Sequence, residues 1–475
     1  MNNVKIICTI GPETNNPKSL KNFKRLGMDL VRLNGSHNSL AWHKKTINII
    51  RKILPELPIL FDIPGTKVRL GNFEKKPLSF GEKIILTFDK KYKGKEKFII
   101  NFQNIIKKIT VNKKIYIEDG EIILKIMGKD QKDLICKSLT NGEISPNKGI
   151  MFESLKLNNK GLISSNDKRL ISFVKKMDID FLGLSFTKSD THINRVKKLL
   201  NNNSIKIIAK IEDKSGVKNL NNILKVSDGI LIDRGDLASN SNLENTTILQ
   251  KQILKSSNEM SVPSIIGTGL LNSMIDNYYP SKSEVSDITN AVYDGCSAVM
   301  LSAETVNLKS AEKSIKILNK ILKSSVIEKN KYKKKRKLEN ISHELSKFAR
   351  DICNKLPITK IVAITLTGYA ARIISHQDLR QNILAVTNNK KRAKSFNLIK
   401  GTEGFYVNLK FSHKSTDHII KSLKELLISG KINNTDTILV LAVGYPKKGN
   451  KMNLMQIHKV SDLVNTFNWK KKKLY

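Results

Sequence analysis

One lysine and two acidic residues near the middle of the chain have the types and spacing of a small functional cluster. Lys210 and Glu212 stand two residues apart at the end of one apolar run, and Asp236 follows the next apolar run. Alternate residues of a strand share a face, so Lys210 and Glu212 should point the same way. Asp236 is expected at the same depth on the neighbouring strand. A structural ion pair at a strand end is the alternative interpretation.

The elements around this cluster predict a strand–helix–strand unit. The runs Lys206–Glu212 and Ile230–Asp236 read as strands, and Gly216–Val226 has the pattern of an amphipathic helix. A crossover of this length favours parallel pairing of the two strands. Parallel sheets of α/β proteins place their sites at the carboxyl ends of the strands, where all three charges would meet.

The same rhythm of strand and helix recurs along the chain and predicts an α/β barrel. Three strand–helix units occur within about the first 65 residues, with helices expected at Pro17–Leu26 and Leu40–Leu54. Five further strand patterns lie between 180 and 304. Eight is the number of strand–helix units that closes a (β/α)8 TIM barrel.

Two other regions depart from this rhythm and predict additional domains. We assign 1–71 and 158–323 to the barrel, and 72–157, with short alternating strands, to an inserted β-barrel lid. A basic connector, 324–340, precedes a C-terminal α/β domain at 341–475, which we expect to serve regulation or oligomerisation. The run Lys331–Lys337 in the connector reads as a solvated charge run or a localisation signal.

Composition limits the classes of function. The formal charge of +42 invites nucleic-acid binding, but most of the 84 basic residues are lysines spread along the whole chain, and aromatic residues make up only 6%. We therefore expect no specific nucleic-acid partner. No apolar run approaches the roughly 18 residues that cross a membrane. The four scattered cysteines and the absence of a secretory signal pattern predict a cytoplasmic protein.

Several segments together resemble the pyruvate kinase family, and the resemblance is collinear over nearly the whole chain. The matching segments are Lys5–Pro12 (KIICTIGP), Arg32–Asn34 with Ser36–His37, Ile208–Glu212 (IAKIE), Arg234–Leu237 (RGDL), Glu284–Gly295 and Met300–Ser302 (MLS). The resemblance implies a barrel, a lid inserted after its third strand and a C-terminal α/β domain. It also implies transfer of phosphate from phosphoenolpyruvate to ADP, giving pyruvate and ATP in glycolysis. A homotetramer is typical of the family and is implied as well.

The resemblance assigns roles to individual residues. Glu212 and Asp236 match the ligands of a divalent ion, for which carboxylates suit Mg²⁺ or Mn²⁺. Lys210 matches the catalytic lysine that steadies the phosphoryl group and the enolate, and Arg32 matches the arginine that clamps the phosphate. The implied contacts to the substrate carboxylate are the amides of Gly235 and Asp236 and the hydroxyl of Thr268, and Thr268 is also implied in the proton path to the enolate carbon. The nucleotide-binding side is implied to contain Asn34, His37, Arg69 and Lys148.

The family's monovalent-ion site also has a counterpart. It matches Asn34, Ser36, Asp62 and the carbonyl of Ile63, but Lys67 stands where potassium-dependent members have glutamate. A lysine ammonium can take the place of the ion's charge. We therefore expect that this enzyme does not require potassium.

Departures from the family pattern keep a second hypothesis open. Asp233 replaces a small residue, Ala238 replaces a glycine, and the segment 306–308 differs from the family's usual loop. In the C-terminal domain, Ala370 stands where a hydroxyl residue is usual, which puts activation by a sugar phosphate in doubt. A divergent paralogue with altered or lost activity is the alternative, and a basic nucleic-acid-binding protein is a third.

Overall fold

The computed structural model describes most of the 475-residue chain. The described residues are 4–65, 68–102, 104–117, 120–146, 148–153, 163–201, 204–241, 243–329, 341–411, 415–443 and 452–469, without the side chains of 240, 241, 243, 328 and 329. Lys67 of the predicted monovalent site and the basic run Lys331–Lys337 lie outside them.

The first part of the chain forms the three predicted strands and two predicted helices, and the helix of the third strand–helix unit follows only after the insertion. Its elements are β1 (Lys5–Thr9), α1 (Pro17–Leu26), β2 (Leu30–Asn34), α2 (Leu40–Ile53) and β3 (Ile59–Ile63). Helix α1 has the predicted bounds because Asn16 caps its first turn by accepting a hydrogen bond from Ser19 N, and Gly27 ends it with a φ of 121°. The three strands are parallel neighbours.

The chain then forms the predicted β-rich insertion. Its strands are β4 (Lys76–Leu78), β5 (Lys83–Thr87), β6 (Lys97–Ile99), β7 (Lys114–Ile117), β8 (Ile122–Lys129), β9 (Asp133–Ser138), β10 (Gly142–Ile144) and β11 (Ile150–Phe152). Six form one sheet in the order β11-β7-β8-β9-β5-β6, and β10 pairs with β4. The insertion has a hydrophobic core of its own, which includes Leu86, Leu124 and Cys136. The bounds of the lid domain, 72 and 157, stay predictions.

The remaining barrel units follow the insertion. Their elements are α3 (Ser165–Lys176), β12 (Phe181–Leu184), α4 (Asp190–Leu200), β13 (Lys206–Ile211), α5 (Lys214–Lys218), α6 (Leu220–Val226), β14 (Gly229–Asp233), α7 (Arg234–Ser241), α8 (Leu243–Glu259), β15 (Ser264–Gly267), α9 (Lys282–Tyr293), β16 (Ala298–Leu301), α10 (Ala303–Val306) and α11 (Leu308–Lys329). Strands β1, β2, β3 and β12–β16 close in chain order into a parallel barrel. The predicted eight-stranded barrel is confirmed.

Two local predictions in the central unit are wrong. The expected single helix over Gly216–Val226 is two short helices, α5 and α6, separated by Asn219. Asp236 does not continue a strand, because β14 ends at Asp233 and helix α7 begins at Arg234. The residue at the end of the strand, beside the charges of β13, is therefore Asp233, and Asp236 occupies the first turn of α7.

The C-terminal region is an α/β domain, as predicted. Its elements are α12 (Ile341–Lys355), β17 (Lys360–Ile364), α13 (Tyr369–Ser375), β18 (Asn382–Thr387), α14 (Lys390–Phe396), β19 (Thr402–Tyr406), α15 (Asp417–Ile428), β20 (Thr437–Ala442), β21 (Leu454–Lys459) and α16 (Val460–Thr466). The sheet order is β19-β18-β17-β20-β21, with β21 antiparallel to β20. Leu398, just after α14, is buried in the same apolar cluster as Ile208 and Leu231 of the barrel strands. The domain bounds at 323/324 and 340/341 stay predictions.

Among the helices that the structure describes, none has both the length and the apolar character required to cross a lipid bilayer.

We expect a buried histidine on helix α4 to make the barrel less stable in acid. His192 is 7% exposed, and burial, then Lys188 and Arg195, lowers the pKa of His192 to about 4. Because this pKa is below that of an unfolded histidine, the unfolded state takes up the proton first and stability falls as the pH drops below about 6.5. We expect a loss of about 2 kcal/mol between pH 7 and pH 5 from this residue.

The variant His192→Gln tests this expectation. Urea unfolding at pH 7 and pH 5 should show a smaller acid-induced loss in the variant than in the unaltered protein, because glutamine does not titrate. An equal loss in both proteins would assign the acid sensitivity to other groups.

Candidate active site

Lys210 is the centre of a buried charge cluster at the carboxyl ends of the barrel strands. Its Nζ lies 3.1 Å from Asp62 Oδ2, 2.8 Å from Glu212 Oε1 and 3.2 Å from Asp233 Oδ2. Burial by itself lowers the pKa of Lys210, but the three carboxylates outweigh burial and raise the pKa well above its ordinary value. Lys210 therefore carries a permanent positive charge. The prediction that Lys210 and Glu212 share a face is confirmed.

Arg32 adds a second cation, which is linked to Lys210 through Asp62. Arg32 Nη2 lies 2.7 Å from Asp62 Oδ2, and Nη1 donates to Thr9 Oγ1 at 3.3 Å. The Nε of Arg32 is buried and has no hydrogen-bond partner among the described residues. Ser185, after β12, accepts a hydrogen bond from Lys210 Nζ at 3.1 Å. Two neighbouring cations of this kind suit a phosphoryl group or another dianion.

Three carboxylates beside Lys210 could hold a metal ion. One oxygen each from Glu212, Asp233 and Asp236 lies within 4.8 Å of the other two. Burial is the largest cause that raises the pKa of Glu212, and the negative charges of Asp236 and Asp233 raise it further. The positive charge of Lys210 acts in the opposite direction, and the resulting pKa is about 8. Glu212 Oε1 is buried and lies 2.8 Å from Lys210 Nζ. Crowded, buried carboxylate oxygens of this type fit a hard divalent cation such as Mg²⁺ or Mn²⁺.

Thr268, after β15, has an unusual backbone conformation next to these carboxylates. Its φ is +63°, which is rare for a β-branched residue. Arg234 holds this conformation, because its Nη2 and Nε donate to the Thr268 carbonyl at 2.6 and 3.0 Å and its Nη1 pairs with Asp287. The Thr268 hydroxyl accepts a bond from Gly235 N at 3.0 Å. To bind a substrate carboxylate, the Gly235 amide would have to break its hydrogen bond to the Thr268 hydroxyl and donate to the carboxylate instead.

The residues predicted for the nucleotide side lie at the junction of barrel and lid. Burial, followed by the charges of Arg69, Arg32 and Lys148, lowers the pKa of His37. The lid residues are joined through the backbone, since Leu70 N donates to Lys148 O at 2.9 Å and Arg69 pairs with Gly149. The structure thus brings His37, Arg69 and Lys148 into one electrostatic environment.

The residues predicted for a monovalent ion have other partners. Asn34 Oδ1 accepts a hydrogen bond from Ser36 N at 3.1 Å, and Gly35 N donates to the Asp62 carbonyl at 2.8 Å. The Asp62 carboxylate contacts Arg32 and Lys210, and Ile63 is the last residue of β3. Lys67 is outside the described residues, so the proposed replacement of potassium by its ammonium stays a prediction.

Three residues with clear roles in this geometry were not predicted as site residues. Ser185 contacts Lys210 and Asp62, Arg234 fixes Thr268, and Asp233 contacts both Lys210 and Thr268. The position of Asp233 at the end of an apolar run was visible in the sequence. From the sequence alone, Asp233 is a departure from the family pattern that adds a negative charge near a site that binds an anion.

Comparison with known proteins identifies the family. The family model described as "Pyruvate kinase, barrel domain" matches residues 1–315, and "Pyruvate kinase, alpha/beta domain" matches residues 343–458. The chain belongs to the pyruvate kinase family. The pyruvate kinase of Staphylococcus epidermidis is 31% identical over 98% of this chain and 81% of its own length. Those of Staphylococcus haemolyticus and Staphylococcus aureus are 32% and 30% identical, with the same coverage.

Membership of the pyruvate kinase family confirms two predictions. The resemblance stated from the short segments extends over both matched regions, 1–315 and 343–458. The predicted class of enzyme, a phosphotransferase, is confirmed with it. The barrel and the C-terminal α/β domain of the structure correspond to the two family models.

Proposed function

We propose that this protein is an active, metal-dependent pyruvate kinase that transfers phosphate from phosphoenolpyruvate to ADP and gives pyruvate and ATP. The observation that carries the proposal is the joined pair of cations at the barrel mouth. Lys210 Nζ and Arg32 Nη2 contact the same oxygen of Asp62, at 3.1 and 2.7 Å. A phosphoryl group in transfer, and the enolate left behind, both need positive charge that is already in place.

Each side chain has a role that follows from its position. Arg32 binds the phosphoryl group, for which its buried Nε is an open donor among the described residues, and Lys210 stabilises the phosphoryl group and the developing enolate oxygen. The amides of Gly235 and Asp236, at the positive end of helix α7, bind the substrate carboxylate. The hydroxyl of Thr268 also contacts that carboxylate and belongs to the path of the proton that reaches the enolate carbon.

Glu212 and Asp236 hold the divalent cation, Mg²⁺ or Mn²⁺. When bound, the cation neutralises charge on substrate oxygens during the transfer. Glu212 is fixed for this purpose, because its second oxygen, Oε2, accepts a hydrogen bond from Phe186 N. Phe186 has a positive φ of 50°, so the backbone is held in a rare conformation to make this bond.

The nucleotide phosphates bind where the lid meets the barrel, at Asn34, His37, Arg69 and Lys148. Burial and three neighbouring cations lower the pKa of His37, so His37 is neutral at physiological pH and offers a hydrogen bond instead of a charge. We place this glycolytic reaction in the cytoplasm, without a specific nucleic-acid or membrane partner, and we propose a homotetramer, as is typical of the family.

A coupled assay tests the proposed activity. Purified protein with phosphoenolpyruvate, ADP and Mg²⁺ should produce pyruvate, measured through lactate dehydrogenase and the oxidation of NADH. Absence of turnover, with or without sugar phosphates and AMP, would contradict the proposal and favour the divergent paralogue. Sequence-selective oligonucleotide binding at nanomolar concentration and physiological salt would favour the nucleic-acid-binding alternative.

We also propose that the enzyme works without potassium. Lys67 would supply the charge that a monovalent ion supplies in potassium-dependent members, and the Asp62 carboxylate is already paired with Arg32 and Lys210. Replacing sodium by potassium at constant ionic strength should change kcat by less than about twofold, since a fixed ammonium gains nothing from the ion. A strong increase in rate with potassium would contradict this prediction, and the variant Lys67→Glu should create such an increase.

A further inference from the structure

We propose that Asp233 is a positioning residue that holds the two groups of this site that act on the enolate, Lys210 and Thr268. The inference rests on the proposed function and assigns a role to a residue that replaces a small one in the family pattern. Asp233 is the last residue of β14 and is 6% exposed. Strands β13 and β15 flank β14 on either side, so its end lies between Lys210 and Thr268.

The two oxygens of Asp233 serve different partners. Oδ2 lies 3.2 Å from Lys210 Nζ, and Oδ1 accepts a hydrogen bond from Thr268 Oγ1 at 3.1 Å. Because one rigid carboxylate makes both contacts, the ammonium and the hydroxyl are held at a fixed separation. A small residue at this position could make neither contact.

The hydroxyl of Thr268 is constrained on all sides. It accepts from Gly235 N, and its single proton faces Asp233 Oδ1 and the carbonyl of Gly267, the latter at 2.7 Å. Arg234 fixes the Thr268 backbone. Asp233 therefore adds a charged acceptor to this arrangement, and it shares the hydroxyl proton with the carbonyl of Gly267.

This arrangement has a consequence for substrate binding. Asp233 adds a negative charge beside a site that binds the phosphoenolpyruvate anion, so it weakens the binding of the substrate while it orders the groups that react. An acidic residue with a purely structural role would weaken substrate binding by its charge but would leave the proton step unchanged. Removal of Asp233 should therefore tighten phosphoenolpyruvate binding and slow the proton step.

The proton step can be measured without phosphoryl transfer. In the reverse direction a C–H bond of the pyruvate methyl group breaks and its proton leaves to solvent along the path that includes Thr268. The electron pair of that bond forms the C–C double bond, and the π pair of the carbonyl moves onto the oxygen, which becomes the enolate oxygen. In D₂O the enolate then takes up a deuteron at the same carbon as the carbonyl re-forms. Loss of the methyl signal in proton NMR, with pyruvate, Mg²⁺ and inorganic phosphate present, reports the rate of this exchange.

The test compares Asp233→Ala, Asp233→Asn and the control Asp228→Ala. Asp228 precedes the other end of β14 and pairs with Lys206 at 3.1 Å, so its loss affects the barrel but not the mouth. In Asp233→Ala we expect exchange to fall about tenfold and phosphoenolpyruvate, titrated by calorimetry with Mg²⁺, to bind about tenfold more tightly. In Asp233→Asn the binding should tighten similarly while exchange falls less, because one amide oxygen remains as an acceptor.

Each outcome decides the role of Asp233. Unchanged exchange in Asp233→Ala, or weaker phosphoenolpyruvate binding, would overturn the proposal. If the alanine variant does not fold, the same two measurements on Asp233→Asn decide the question. A loss of Mn²⁺ affinity greater than about tenfold would make Asp233 a metal ligand and also overturn it. If the unaltered protein binds phosphoenolpyruvate but shows no turnover, the proposed function fails, and the binding measurement still decides whether Asp233 opposes the anion.

Discussion

Replacing Lys210 by methionine should lower kcat for phosphoryl transfer by about 10³-fold, because it removes the positive charge that Lys210 places at the phosphoryl group and the enolate. Arg32 is the neighbouring cation, but it contacts Asp62 from the side of β2. Methionine keeps the length and volume of the lysine stem, so the change removes charge and not packing. The coupled assay measures the effect, and retained activity would remove Lys210 from its proposed role.

The same variant should be less stable, and this effect needs its own control. Without Lys210, the carboxylates of Asp62, Glu212 and Asp233 lose their shared countercharge, which we expect to cost about 3–5 kcal/mol of unfolding free energy. Lys206→Met is the matched control, since Lys206 begins the same strand and pairs with Asp228 at the opposite end of the barrel. The control should keep its kcat. Added Mg²⁺ should stabilise Lys210→Met more than the unaltered protein, because the cation replaces part of the missing charge.

Glu212→Gln should abolish most of the binding of the divalent ion and lower kcat by about 10³-fold. Glutamine has the shape of glutamate but contributes no negative charge, so only Asp236 and Asp233 would remain to attract the cation. The fold should tolerate the change. Burial, together with the nearby charges of Asp236 and Asp233, raises the pKa of Glu212, so a neutral amide at this position relieves part of the cost of burying the charge. Calorimetric titration with Mn²⁺ measures the binding of the ion, the coupled assay measures kcat, and thermal unfolding without Mn²⁺ measures the tolerance of the fold.

The stabilisation by Mn²⁺ gives the sharper comparison for Glu212. An ion that binds only the folded state raises the unfolding midpoint by an amount that grows with the logarithm of its affinity, so most of the rise should disappear in Glu212→Gln. Glu244→Gln serves as the control, because Glu244 is an exposed residue in the first turn of α8. Equal Mn²⁺ affinity in Glu212→Gln and the unaltered protein would show that the ion binds elsewhere.

Much of the fold could be predicted because its signals are local. Helix α1 has its cap, its first proline and its terminal glycine within a dozen residues, and its bounds were predicted correctly. The break between α5 and α6 was not, because the apolar positions of Gly216–Val226 fit one helix and only the turn at Asn219 separates two. The end of β14 was misplaced for a similar reason. Asp233 and Asp236 both follow the apolar run, and hydrophobic pattern alone cannot tell which of them ends the strand.

The site could be predicted only in part, because contacts between residues that are distant in the sequence cannot be derived from local pattern. Lys210 and Glu212 are close in sequence, so their shared face followed from the period of a strand. The bond between Asp233 and Thr268 joins residues 35 positions apart. The backbone of Thr268 has a positive φ and its carbonyl accepts a hydrogen bond from Arg234, a conformation that the residue type at position 268 does not suggest.

The position of Leu398 affects whether the barrel can be separated from the C-terminal domain. Its side chain comes from the C-terminal domain but is buried with Ile208 and Leu231, two residues before Lys210 on β13 and two before Asp233 on β14. The side chain of Leu398, from the C-terminal domain, therefore completes an apolar cluster formed by residues of the barrel strands. If the barrel is expressed without the C-terminal domain, this cluster loses Leu398 and its apolar side chains are exposed below the strands that contain Lys210 and Asp233. The C-terminal domain therefore contributes to the packing of the barrel. Exchange of this domain between relatives should give a stable protein only where the residue at the position of Leu398 fits the apolar cluster of the barrel.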